Sequence, residues 1–171
     1  MNKQRGAALL VALLILVAIS LLGISAMKTS MFSSKVSTGV QADAMVFEAA
    51  ESAIVEAYTE LEEMDSVNLS SFLGGDVMSR CLAAGNPRKE GGCAGVDFMG
   101  SRGMIKASST SQVNGFQLIS GAQISSSGNA GTFVDYQVQI AGNSEMAAFN
   151  IGDSHVQELL KRGIRPSAEI E

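Results

Sequence analysis

The chain has 171 residues, with 12 basic and 17 acidic side chains and a formal net charge of −5 at pH 7. This length leaves room for one long helix and one modest domain. Nucleic-acid binding draws most of its affinity from a basic surface, so the acidic balance argues against a nucleic-acid partner. With two cysteines and one histidine, a zinc site is a poor interpretation.

The first six residues contain Lys3 and Arg5, and an uncharged, strongly apolar segment follows at residues 7–27. About 20 such residues cross a hydrocarbon core of ~30 Å, and flanking basic residues favour the cytoplasmic side. A secretory signal peptide has a shorter apolar region of roughly 7–15 residues, with its cleavage site after it. We therefore expect a retained anchor that crosses a membrane once.

Beyond the anchor, apolar residues recur at spacings of three and four between residues 42 and 61, which predicts an amphipathic helix. No proline occurs before Pro87, so the helix is expected to run without a forced kink from the anchor to residues 64–68, with its weakest part at the Ser/Thr-rich residues 29–39. The predicted buried positions are Val46, Ala49, Ala50, Ala53, Ile54, Ala57, Tyr58 and Leu61.

Residues 70–103 are rich in glycine and are expected to form loops that hold both cysteines, Cys81 and Cys93. In a domain outside the cytoplasm, these two are expected to form a disulfide that closes the intervening loop. Such a loop gains about 3 kcal/mol from reduced chain entropy.

Alternating apolar and polar residues predict strands at 116–124 and 133–140, with 125–131 as the hairpin loop between them. A third strand is expected at 146–151, and residues 104–107 are a candidate start of the sheet. For the tail, Asp153 or Ser154 followed by 156–162 and Gly163 predicts a short capped helix.

Together these elements predict an α+β fold, in which the long helix packs on a small antiparallel sheet of three to four strands with one disulfide. The expected organisation is a leader at 1–6, a membrane or filament-core helix at 7–27, an amphipathic helix at 28–64 and a globular head at 65–171.

No arrangement of residues predicts catalysis, a cofactor or a metal site. The only histidine, His155, is expected at the surface or beside a helix cap. The acidic run of Glu60, Glu62, Glu63 and Asp65 could attract calcium, but a solvated helix end is the favoured interpretation. We therefore expect a protein that is not an enzyme.

Three N-terminal stretches carry a resemblance to known proteins: RGAALLVALL at 5–14, LGISAMKTS at 22–30 and FEAAESAI at 47–54. The first stretch resembles the start of type IV pilins and type II secretion pseudopilins, whose prepilin peptidase cuts after a glycine and methylates the new N-terminus. This resemblance implies a cut after Gly6 and a methyl group on Ala7. Together the three stretches are most similar to the PilX family of minor pilins, and the resemblance covers roughly the first 60 residues.

Val11 occupies the position at which most pilins have a glutamate, the fifth residue after the cut. In the family, that acid pairs with the positive N-terminus of the neighbouring subunit, because an unpaired carboxylate in an apolar environment is costly. PilX-type minor pilins and GspK-type pseudopilins also lack this glutamate. In them, the missing acid is interpreted as a mark of the filament tip.

The resemblance implies a minor pilin of the inner membrane, with a periplasmic C-terminal domain and later incorporation into an extracellular pilus. Its implied partners are the prepilin peptidase, the inner-membrane assembly platform, the major pilin and other minor pilins, and a PilY-type tip adhesin. The alternatives are a pilus-surface module for cell–cell aggregation or adhesion, a GspK-like minor pseudopilin, and a plain anchored protein that is not cleaved after Gly6.

Overall fold

The computed structural model describes residues 5–124 and 131–166 of the chain. It divides into two compact units, Met1–Gln41 and Ala42–Glu171. The first contains helix only in its described part, and the second contains the remainder of the helix, a sheet and a disulfide.

A single helix, α1, is assigned from Arg5 to Glu63, and this confirms the predicted long helix and its end. Alanine, leucine and glutamate are strong helix formers, and no proline interrupts them. The Ser/Thr-rich residues 29–39 are helical as well. There, Thr29 and Thr38 each donate a hydroxyl hydrogen bond to the carbonyl four residues earlier, at Ser25 and Ser34.

Within the second unit, the apolar face of α1 packs on the sheet. The prediction of its buried positions is confirmed except at Tyr58, whose side chain is 41% exposed and donates a hydrogen bond from its hydroxyl to Glu62 Oε1 at 2.6 Å. The buried helix residues are Ala42, Val46, Ala49, Ala50, Ala53, Ile54, Ala57 and Leu61.

The chain turns after α1 into a short helix, α2, at Ser66–Ser71. Asp65 caps its N-terminus, because a carboxylate oxygen accepts from the amide of Asn68 at 2.9 Å. A single 3-10 turn at Phe72–Gly74 follows, and Gly75 (φ 95°) ends it in the left-handed conformation that glycine adopts without strain.

Five antiparallel strands form one sheet in the order β2-β1-β3-β4-β5. This confirms the α+β class and exceeds the three to four strands predicted. The strands are β1 (Val77–Ala83), β2 (Asn86–Glu90), β3 (Lys106–Ile124), β4 (Gly131–Met146) and β5 (Ile151–Pro166).

The predictions at 116–124 and 133–140 are confirmed as parts of β3 and β4, which pair up to Ile124 and Gly131. Of the predicted hairpin loop, residues 125–130 lie outside the described residues. The loop prediction for 70–103 is wrong at β1 and β2. In β1 both Cys81 and Leu82 are buried, so the strand lacks simple alternation, and β2 is a short, mostly exposed edge strand.

The two C-terminal predictions are wrong. No single strand covers residues 146–151, where one was expected. Instead β4 ends at Met146 and a 3-10 turn follows, after which Asn150 (φ 53°) reverses the chain. The helix expected at 156–162 is part of β5, which pairs with β4 from Gly131↔Pro166 to Met146↔Ile151. An uninterrupted antiparallel ladder outweighs a helical spacing of only a few apolar residues.

Two glycines allow the sheet to lie close to the helical layer. A Cβ added at Gly142 of β4 would stand 2.5 Å from the carbonyl oxygen of Ala50 and 2.6 Å from Ile54 Cγ1. One added at Gly163 of β5 would stand 2.8 Å from Ser66 Oγ and from Tyr136 Cε2. Neither site has room for a side chain.

The predicted disulfide between Cys81 and Cys93 is confirmed, with 5.0 Å between the two Cα atoms. It ties β1 to the segment after β2. That segment is fixed further by Asp97, whose carboxylate accepts from the amide of Ala94 at 2.8 Å and from Lys89 Nζ at 2.6 Å. The pKa of Asp97 lies below its usual value mainly because of the hydrogen bond from Lys89.

Candidate functional site

The feature most relevant to function is the N-terminal part of α1. This part is an apolar helix, and no other described part of its own unit packs against it. Every described side chain from residue 7 to 38 is exposed. Within Ala7–Glu63, the helix is long and apolar enough to cross a membrane, and none of its most apolar window is buried. Isolated soluble proteins rarely expose apolar surface of this extent, so the segment is typical of a helix that a bilayer or neighbouring helices cover.

The few polar groups of this segment are satisfied within the helix. The hydroxyl of Ser20 donates to the carbonyl of Leu16 at 2.8 Å, and that of Ser25 donates to Leu21 at 3.0 Å. A hydroxyl transferred to an apolar environment without a hydrogen bond costs several kcal/mol, about 2–7 depending on the reference. These internal bonds therefore make the segment compatible with a lipid or protein interior.

The predicted processing residues lie at the start of this helix. Gly6 and Ala7 are in its first turn, and the side chain of Val11 is 52% exposed one turn later. Residues four apart share a helix face, so Val11 lies on the same face as Ala7. An acid at this position would lie beside the N-terminus exposed by a cut after Gly6, and Val11 provides no charge there.

The second unit contains a group of ion pairs that the sequence did not predict. Two arginines of the sheet bind acids of α1. Arg80 on β1 donates to both carboxylate oxygens of Glu60, at 2.7–3.0 Å, and Arg88 on β2 contacts Glu56 at 2.5 Å and Glu63 at 2.6 Å. The hydrogen bond from Arg88 lowers the pKa of Glu63.

Each of the four acids in the run for which calcium was considered has a contact within the protein. Glu60 and Glu63 bind arginines, Glu62 accepts from Tyr58, and Asp65 caps α2. Residues 5–124 and 131–166 contain no group of three or more metal-ligating side chains. Acids spaced along one helix face, with basic residues in the following strands, are the sequence signal that could have predicted these pairs.

Lys161 provides the C-terminal cap of α1 from β5. Its Nζ donates to the carbonyl of Leu61, and also to those of Glu62 at 3.1 Å and Met64 at 2.6 Å. The last carbonyls of a helix have no partner within it and carry partial negative charge, so a cation stabilises them. Burial lowers the pKa of Lys161. The sequence had predicted this basic residue at the end of a different, C-terminal helix.

His155 joins β5 to α1, so the prediction of a place beside a helix cap is wrong, while its side chain is partly exposed at 19%. Its Nδ1 lies 2.8 Å from Glu51 Oε1 and its Nε2 lies 3.1 Å from Asp153 Oδ2, while its ring meets Phe47 edge-on at 4.5 Å between centroids. The hydrogen bond to Asp153 is the main cause of a raised pKa for His155. Because a neutral imidazole has one N–H, both contacts become hydrogen bonds only when the ring is protonated.

In a comparison with models of known protein families, residues 5–55 match the family described as "PilX N-terminal". The predicted PilX resemblance is confirmed over this segment, whereas the relation to GspK-type pseudopilins stays a prediction. Comparison with curated proteins and with solved structures gives no significant match. The matched segment contains the whole exposed apolar helix and extends into the part of α1 that packs on the sheet.

Proposed function

We propose that this chain, which belongs with the PilX-type type IV pilins by its N-terminal segment at residues 5–55, is a minor pilin that helps to start pilus assembly. The observation that carries the proposal is that the matched segment contains the apolar part of α1, whose described side chains are all exposed from residue 7 to 38. The family supports a pilin-like role, association with other pilins and membrane anchoring, and pilins are in general structural proteins rather than enzymes.

In this proposal, the prepilin peptidase cuts after Gly6 on the cytoplasmic side and methylates Ala7. The helix then stores the subunit in the inner membrane, with the head in the periplasm. During assembly it leaves the lipid and packs against the helices of neighbouring subunits, which replace the lipid around its apolar side chains. Satisfied hydroxyls such as that of Ser20 support both environments.

Val11 supports a position at the tip. A subunit with an acid at this position can neutralise the N-terminal amine of the subunit ahead of it, and the first subunit has no amine ahead of it. A valine there avoids an unpaired carboxylate in an apolar interior, while the amine of Ala7 stays available to the next subunit. The proposed neighbours are other minor pilins and a PilY-type adhesin, on the assembly platform of the inner membrane.

The V11E substitution tests the tip position, with V11L as the matched control that keeps the site apolar. If Val11 restricts the chain to the first position, V11E is expected to enter the shaft, so that labelled copies per filament rise several-fold, whereas V11L stays at the end. Equal numbers and positions of label for V11E, V11L and the unsubstituted chain would contradict a tip role for Val11.

A module for aggregation between pili is the second candidate. The specific observation in its favour is Val96, 84% exposed in the segment that the disulfide fixes to β1. Deletion of the gene separates the two functions. A priming subunit predicts cells that lose their pili and twitching motility, whereas an aggregation module predicts normal pili that fail to bundle and are rescued by the unsubstituted chain but not by V96D.

A further inference from the structure

The sheet of the head ends in two edge strands of very different character. β2 has five residues, including Pro87, and is therefore a short edge with a missing amide. β5 has 16 residues, and proline occurs only at its last position, Pro166. Edge strands present unpaired backbone groups that bind another strand unless something blocks them. β5 is the edge on which a strand can be added.

Two hydrogen bonds show which amides of β5 face the free edge. The amide of Ser154 donates to Asp153 Oδ1 at 2.8 Å, and that of Ile164 donates to Ser66 Oγ at 3.1 Å, so neither is given to β4. The register with β4 has no shift along β5, and backbone groups alternate between the two edges. The even-numbered residues therefore face outward.

Between these two capped positions lie four outward amides, those of Val156, Glu158, Leu160 and Arg162, and the described part of the chain gives them no acceptor. Side-chain caps thus close both ends of the edge and leave its middle open. The opening spans seven residues, about 20 Å of strand. Its backbone chemistry fits an extended chain rather than a helix or a small molecule.

The side chains along this opening are self-complementary. Val156, Leu160 and Ile164 are exposed apolar residues on the solvent face, with Glu158 and Arg162 between them. The order apolar, acid, apolar, base, apolar is symmetric about Leu160 except for the sign of the charges. When two such strands run antiparallel about Leu160, each Glu158 faces an Arg162, and Leu160 faces its own copy.

We propose that β5 pairs antiparallel with β5 of a second copy of this chain, centred on Leu160, to give a two-fold symmetric dimer. The residues that face each other in this register are the ones whose backbone groups point to the free edge, so each pair exchanges two hydrogen bonds, about six in all. Opposite charges directly across a strand pair add stabilisation, and a two-fold interface requires this self-complementarity.

Two contacts that β5 makes within its own copy bear on this interface: one shortens the ladder, and the other is compatible with it. Ser66 already holds the amide of Ile164, so the ladder covers residues 158–162 and the ends are joined only through the apolar contact of Val156 with Ile164 of the second copy. Arg162 also binds Asp135 on β4 at 2.9 Å, and its five N–H groups can serve Glu158 of the second copy as well. The interface is short, so the dimer is weak and depends on concentration.

A charge-swap experiment on the full chain in mild detergent tests this pairing. In a dimer of E158R, the arginine at position 158 faces Arg162 of the other copy. In a dimer of R162E, the glutamate at position 162 faces Glu158 of the other copy. Each variant alone is therefore expected to dimerise about tenfold more weakly than the unsubstituted chain in sedimentation experiments. Mixed in equal amounts, the two variants face each other with opposite charges, and a heterodimer is expected to form.

Cysteine cross-linking gives an independent readout. Two facing residues of a hydrogen-bonded pair have Cα atoms ~5.5 Å apart, within disulfide range, so L160C is expected to form a covalent dimer under mild oxidation. V96C, at a more exposed site, is the control for random collision. The proposal is wrong if L160C cross-links no faster than V96C. It is also wrong if E158R and R162E associate as the unsubstituted chain does, or if their mixture stays monomeric. These outcomes do not depend on leader processing or on a pilus role.

Discussion

The contact between β4 and α1 at Gly142 makes a sharp prediction for the substitution G142A. The added Cβ would meet the Ala50 carbonyl oxygen at 2.5 Å, whereas ordinary contacts lie at 3.4–4 Å. Strand and helix must therefore separate by roughly 1 Å, or the residue must move out of the ladder. Overpacking of this kind costs about 1–3 kcal/mol, and we expect the upper end because the obstacle is backbone rather than a flexible side chain.

Such a loss lowers Tm by about 10 °C, since ~1 kcal/mol shifts Tm by roughly 2–8 °C in domains of this size range. Near-UV circular dichroism of the full chain in mild detergent can measure it, because the chain has two tyrosines and no tryptophan, and Tyr136 is fully buried. The matched control is G115A in β3, where the nearest atom to an added Cβ is Gln137 Oε1 at 3.9 Å. We expect it to leave Tm unchanged or slightly raised. If G142A unfolds at the same temperature as G115A, the close helix–sheet contact is refuted.

Three further predictions concern the links that hold α1 to the sheet. K161M removes the cation from the end of α1 and is expected to lower the free energy of unfolding in urea by about 1–3 kcal/mol. The control R102M, at an exposed arginine, is expected to change it little. Equal losses in the two variants would contradict the cap. Since the folded pKa of His155 is raised, its contribution to stability is full below the unfolded value near pH 6.5 and is lost as pH rises through the folded value. Tm should therefore fall across this range in the unsubstituted chain relative to H155Q, and parallel profiles would contradict the link. Reduction of the Cys81–Cys93 disulfide is expected to lower the free energy of unfolding by about 3 kcal/mol. The control is C81S/C93S, whose stability is insensitive to reductant. A reduced chain as stable as the oxidised one would contradict this prediction.

The sequence predicted those elements whose signal is local and strong. The apolar run at 7–27 and the helical spacing of Val46, Ala50 and Ala57 determine α1, because a long uninterrupted period leaves few alternatives. The disulfide followed from there being two cysteines in a domain expected outside the cytoplasm.

The predictions failed where distant pairing decided the structure. Val156, Leu159 and Leu160 have helical spacing, but in β5 they divide between two faces because β4 provides a full-length partner. The contacts of Lys161 and His155 with α1 join residues about 100 positions apart and left no local signal. Tyr58 followed the apolar period of α1, but its hydroxyl reaches Glu62, and the ring stays half exposed.

The proposed processing as a pilin can be tested on the membrane-bound protein, by its intact mass and N-terminal sequence in cells with and without the prepilin peptidase. Only cells with the peptidase are expected to yield a chain that lacks residues 1–6 and has one methyl group on Ala7. An intact Met1 in both cells, or a cut beyond Met27, would contradict the proposed pilin function and leave an anchored or secreted protein that does not enter a pilus.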